Sequence, residues 1–115
     1  MSTWKIFKGE DKIFEGVVQY ATIAGATLSP YDLTAATLVW HMGSVLAPPI
    51  YTRPSTGTNW TLGSLGSWTF SVAQADTESL FATSYYFDIW LKTSGAKEYC
   101  LQLGTFIVKE VVGTL

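Results

Sequence analysis

Residues 84–92, SYYFDIWLK, alternate strictly between two kinds of side chain. Tyr85, Phe87, Ile89 and Leu91 fall on one side, and Tyr86, Asp88, Trp90 and Lys92 on the other. A period of two belongs to a strand with one buried face; a helix repeats every 3.6 residues and would scatter these positions around its axis. A small turn around Ser94-Gly95 and the run EYCLQLGTFIVKE extend the pattern into a long antiparallel hairpin. Asp88 and Lys92 assign the second side to solvent, because carboxylates and ammonium groups are rarely buried unpaired. The first side is therefore core, and Tyr86 and Trp90 face outward.

The rest of the chain is punctuated in the same way. Residues 3–8, 12–20, 37–43, 59–62 and 66–72 read as further short strands. Along 12–20, Phe14, Val18 and Tyr20 share one face, and Gly16 marks a bulge. Leu38, Trp40 and Met42 point inward from 37–43, as do Trp68, Phe70 and Val72 from 66–72. Residues 24–36 form a loop in which Pro30 and Asp32 make turns. The segment 44–58 carries Pro48, Pro49 and Pro54, which confine it to a sheet edge or an irregular excursion. Asp76 is placed to cap one helical turn near 76–81, with Leu80 closing it onto the core. Gly104 interrupts the last strand as a bulge, and the tail 113–115 frays. The chain is expected to form one all-β domain over 1–115, an antiparallel sandwich of about seven to eight strands with that one helical turn. A closed barrel has no edge on which the prolines could sit.

Chemistry leaves a recognisable set of residues, and none is legible here. A metal site needs clustered His, Cys, Asp or Glu, but the chain has one His (His41) and one Cys (Cys100). His41 reads as a surface strand residue and Cys100 as a half-buried one. The carboxylates are dispersed, and no phosphate-binding glycine loop or nucleophile elbow occurs. No catalytic, cofactor-binding or metal-ligating residue is expected. The lysines stand singly and the net charge is −2, which argues against nucleic acid as a partner. No apolar run approaches the ~20 residues of a membrane helix. The start, MSTWKIFKGEDK, holds no apolar stretch of signal-peptide length, so synthesis in a reducing cytoplasm is expected. For that reason Asn59-Trp60-Thr61, which matches a glycosylation sequon, reads as coincidence.

Charged residues make up 14% of the chain against a typical ~25%, while there are 5 Trp, 6 Tyr and 6 Phe. Trp40 and Trp68 fit inward positions. Trp60 lies in a polar segment, and Trp90 shares a face with Asp88 and Lys92. With Tyr86 they form a candidate interface: Tyr86, Trp90 and Trp60. Packing under the 44–58 loop is the plainer reading of Trp60 and Trp90; as outward residues they suit a protein–protein contact first and a carbohydrate-stacking platform second.

Three stretches carry a resemblance to a known family. YDLTAATLVWHM resembles its D-L-T-x-A turn followed by a strand. GSWTFSVAQADTESL resembles its strand followed by an A-D-T-x-x-L turn. The closing hairpin, tyrosine-rich at its start and with Gly104 before its last segment, resembles the family's final pair of strands. Together they look like the small immunoglobulin-like β-sandwich module of tailed-bacteriophage virion proteins, as in the N-terminal domain of phage baseplate upper proteins. The resemblance implies an immunoglobulin-like sandwich with no enzymatic activity. It implies a virion component of tail, baseplate, neck or capsid surface, made in the host cytoplasm. Its partners would be other virion proteins and copies of itself in a symmetric homo-oligomer.

Overall fold

The computed structural model describes residues 2–20, 28–45 and 47–112. Residues 24–27 of the expected loop and the tail 113–115 lie outside them. The strands are β1 (Ser2–Phe7), β2 (Lys12–Val17), β3 (Gln19–Tyr20), β4 (Ser29–Pro30), β5 (Thr37–Gly43), β6 (Tyr51–Pro54), β7 (Trp60–Leu62), β8 (Ser67–Val72), β9 (Ser84–Lys92) and β10 (Glu98–Lys109). One helical turn, α1, covers Gln74–Glu78. A five-stranded sheet runs β1-β10-β9-β5-β6, a three-stranded sheet runs β2-β8-β7, and β3 pairs with β4 alone.

This is an all-β sandwich with immunoglobulin-like connectivity. The strands β2-β8-β7 correspond to B-E-D, and β10-β9-β5-β6 to G-F-C-C′. Two hallmarks accompany it. Trp40, on the strand in the C position, is buried between the sheets. Tyr85, near the start of the strand in the F position, donates its hydroxyl back to the Phe81 carbonyl at 2.9 Å, the tyrosine-corner contact. One expectation needs correcting: the sandwich is not wholly antiparallel. β1 runs parallel to β10, with Trp4 opposite Phe106.

The core between the sheets is aromatic. Trp4 stacks on Phe14 of the opposite sheet, ring centroids 4.0 Å apart and planes nearly parallel, and lies 4.3 Å from Phe87. Phe70 receives Trp40 and Trp60, each at 4.7 Å. The inward faces of β5, β8 and β9 are those the alternation assigned. Leu33, fully buried, joins them from the expected loop. Trp40 Nε1 is buried without a hydrogen-bond partner among the described residues, a cost of about 1–3 kcal/mol that burial of the large ring offsets.

Several local expectations change for packing reasons. The second strand ends at Val17: the Val18 amide still bonds the Gly66 carbonyl in register at 2.8 Å, but the Val18 carbonyl accepts the Tyr31 amide at 3.0 Å and the Gly66 amide turns to Gly63; Val18 is buried while Tyr20 is exposed. Gly16 is not a bulge. The β2–β8 register is unbroken there, and a Cβ would lie 2.5 Å from the Trp68 ring that covers the site. The bulge in β10 falls between Cys100 and Gln102 instead of at Gly104. Gly104 is a close-approach residue, where a Cβ would collide with the Ser2 carbonyl oxygen and the Phe87 ring. The stretch expected as loop contributes β4, followed by an Asx turn. Asp32 accepts both the Thr34 amide at 2.9 Å and the Thr34 hydroxyl at 2.7 Å, which holds its carboxyl below the usual range.

The helical turn starts earlier than expected, and Asp76 is its third residue, not its cap. Its carboxylate reaches back to the Ala73 amide at 2.9 Å and pairs with Arg53 at 3.0 Å. Asp11 supplies the capping oxygen from a distant turn, accepting the Gln74 amide at 2.7 Å. Buried Thr77 accepts the Gly9 amide at 2.9 Å, so α1 ties the β1–β2 turn to the far end of β8. Tyr51 donates to the Asp76 carbonyl at 2.5 Å. Burial, then the neighbouring Asp76 carboxylate, pushes the Tyr51 phenol above its ordinary range.

Two substitutions probe this framework by urea denaturation. Gly104→Ala is expected to cost about 3 kcal/mol, because a backbone carbonyl blocks the new methyl, whereas Gly95→Ala in the hairpin turn stays within about 0.5 kcal/mol. Ala96 holds φ +63° in that turn, so Ala96→Gly is expected to stabilise the protein by about 0.5–1 kcal/mol.

Candidate functional site

The outer face of the five-stranded sheet carries the residues that the core does not use. Its layout follows from the register. Tyr86 stands between Gly43 on β5 and Thr105 on β10. The next outward row is His41, Asp88, Leu103; the next is Val39, Trp90, Cys100; the last is Thr37, Lys92, Glu98. Glu98 therefore faces Lys92 across the hairpin, and Asp88 has no carboxylate opposite it. Tyr86 is 52% exposed, Trp90 39% and Leu103 57%.

Two of the three candidate interface residues, Tyr86 and Trp90, thus lie on this face about 13 Å apart along β9. Trp60 does not. It is buried, packs on Trp68 and Phe70, and donates its indole N–H to the Arg53 carbonyl at 2.8 Å. Its polar neighbours misled: Asn59 turns its amide to the Ser71 carbonyl, and Thr61 takes the exposed position. The readable signal was the alternation of Trp60 with Leu62, which pair with Phe70 and Trp68 on β8.

At the centre of the face His41 Nδ1 lies 2.7 Å from Asp88 Oδ1, with both side chains about one-third exposed. Leu103 and Val39 flank the pair. Two open grooves lie at opposite ends of the face. One, about 350 Å³, runs between Tyr86, Leu103 and the Val45–Pro49 side of the β5–β6 connection. The other, about 340 Å³, lies beside Trp90 over Thr37 and Val39.

A carboxylate-oriented imidazole can serve a nucleophile, but the thiol is not brought to it. Cys100 is exposed instead of half-buried, stands in the Trp90 row, and turns its sulfur to the Gln102 carbonyl at 3.8 Å. Among the described residues, no three His, Cys, Asp or Glu side chains gather into a group that could hold a metal ion. No helix among them is long and apolar enough to cross a membrane. What the face offers is shape and apolar area, broken by the His41–Asp88 pair at its centre and by Lys92 and Glu98 at one end.

Paired truncations separate core from surface. Trp60→Ala is expected to cost about 3–5 kcal/mol in urea denaturation, and Trp90→Ala less than about 1 kcal/mol. Equal losses at the two positions would show that Trp90 is a core residue.

No protein-family model matches the chain, and no curated protein matches it in sequence.

Proposed function

We propose that this chain is a non-enzymatic structural module of a bacteriophage virion, at the tail, baseplate, neck or capsid surface. It acts by protein–protein assembly through the outer face of the five-stranded sheet. The observation that carries the reading is the outward placement of Tyr86, Trp90 and Leu103 on one continuous sheet face. Exposed aromatic area of this kind is what interface cores use. The low charge content supports it, since charged residues are depleted at interface centres. The resemblance of the D-L-T-x-A turn, the A-D-T-x-x-L turn and the closing hairpin to the phage module supplies the particle.

Edge pairing is a poor alternative route. The β6 edge ends in Pro54, and Lys12 Nζ reaches across to the Lys5 carbonyl on the free side of β1, at 2.8 Å. Both are ways of blunting a sheet edge. Contacts therefore run through side chains of the face. A carbohydrate-binding module is the second reading, and it rests on the same Tyr86 and Trp90. It is weakened by the burial of Trp60, which leaves no third ring for a platform.

The test is the content of gradient-purified particles from a host that produces the chain. Mass spectrometry is expected to find it in fixed stoichiometry with capsid or tail proteins. A chain that is expressed but absent from particles, and whose Trp90 fluorescence responds to a glycan array, would move the assignment to carbohydrate binding.

A further inference from the structure

The outer face has a property beyond being apolar: it is complementary to itself. On β9 every outward side chain that projects has a small or opposite-natured neighbour directly across on β5. Tyr86 is paired with Gly43, Asp88 with His41, Trp90 with Val39 and Lys92 with Thr37. A two-fold axis lying along the strands between β9 and β5 would exchange those two columns between copies. Each residue of one copy would then face its cross-strand neighbour's counterpart in the other. Such an isologous contact needs each projection and its receiving hollow on the same surface.

The hollows are in the right places. Tyr86 of one copy meets the groove bordered by Gly43, Val45 and Pro49 of the other. Trp90 meets the groove over Thr37 and Val39. Asp88 falls opposite His41, and their hydrogen bond within each copy uses only Oδ1 and Nδ1. On the flank, the same rotation puts β10 over β6. Leu103 then meets Thr52 and Cys100 meets Pro54, and no row sets like charges against each other. The sheet edge β1, with Lys5, stays outside the overlap.

With strands ~4.8 Å apart, β9 over the seven residues of β5 and β10 over the four of β6 give a flat overlap on the order of 350 Å² per copy. The relief of Tyr86, Trp90 and Leu103 enlarges this to a contact of the small, weak class. We infer that the occupant of this face is a second copy of the chain, in a two-fold dimer with β9 packed over β5 of the partner copy. The inference rests on the proposed assembly role and names its first partner.

Sedimentation at about 500 µM, a concentration suited to a weak contact of this size, is expected to show a dimer. Trp90→Ala, with an unchanged circular dichroism spectrum, is expected to weaken it at least ~10-fold. Geometry is read by cross-linking in a Cys100→Ser background. Thr37→Cys mixed with Lys92→Cys should form a disulfide-linked dimer on oxidation, and neither alone should. A dimer that is indifferent to Trp90→Ala, or that links in the single variants only, overturns the arrangement. A monomer at that concentration overturns self-pairing. If Trp90→Ala then also abolishes incorporation into particles, the docking role of the face survives without the dimer. If incorporation is unaffected, both fall.

Discussion

The near-parallel stack of Trp4 on Phe14 is the contact on which the sandwich closes. Trp4 comes from the edge of one sheet and Phe14 from the edge of the other, so their 4.0 Å separation seals one open side of the core. β1 lies parallel to β10 in a register that sets Trp4 inward, opposite Phe106 and over Phe87. Gly104 makes the pairing possible, since any side chain there would strike both the Ser2 carbonyl and the Phe87 ring. A single aromatic layer then runs across the interior through Phe70 to Trp60. Rings fill such a gap with few rotatable bonds and large buried area, which suits a chain of this length without disulfides.

The long hairpin was legible because nine consecutive residues state their face, and two charges say which face is wet. Shorter segments state less. At Trp60–Leu62 the period rests on three residues, Trp60 and Leu62 inward and Thr61 outward, a signal easily outweighed by the polar residues around it. Tertiary contacts were illegible for a different reason. Gly16 and Gly104 look like any strand glycine, and only the ring of Trp68 or Phe87 above them explains the missing side chain. Asp76 was recognised as a helix-start residue. The carboxylate that caps the turn, however, comes from Asp11, and no local pattern could have announced it. The outward pair Tyr86 and Trp90 was readable residue by residue. Their setting, between two grooves and around the His41–Asp88 pair, needed the β5 register.

The two outer faces of the sandwich are unequal, and the inequality is itself informative. The three-stranded sheet offers Ser67, Thr69, Ser71 and Thr61 outward, with Ile13 and Val17 only on its edge strand, separated by Glu15. Its flat extent, three strands of at most six residues, is on the order of 300 Å². That is too small for a standard interface, and its hydroxyl-rich surface loses little by staying in water. The five-stranded sheet is more than twice that area and carries the exposed Tyr86, Trp90 and Leu103.

Trp90 makes a cross-strand pair with Val39, yet a threonine there would also hold the strand and leave less apolar area in water. The core is already closed without Trp90, since Ile89 and Leu91 on either side of it are fully buried and packed. Its presence on the larger face, in the row beside Val39 and Cys100, adds little to the core and accords with the proposed docking role of that face. The same reasoning applies to Leu103, which sits opposite Asp88 where a polar residue would satisfy the carboxylate better. An exposed apolar residue that the core does not use, set beside a carboxylate already paired with His41, is what the proposed docking role of this face would account for.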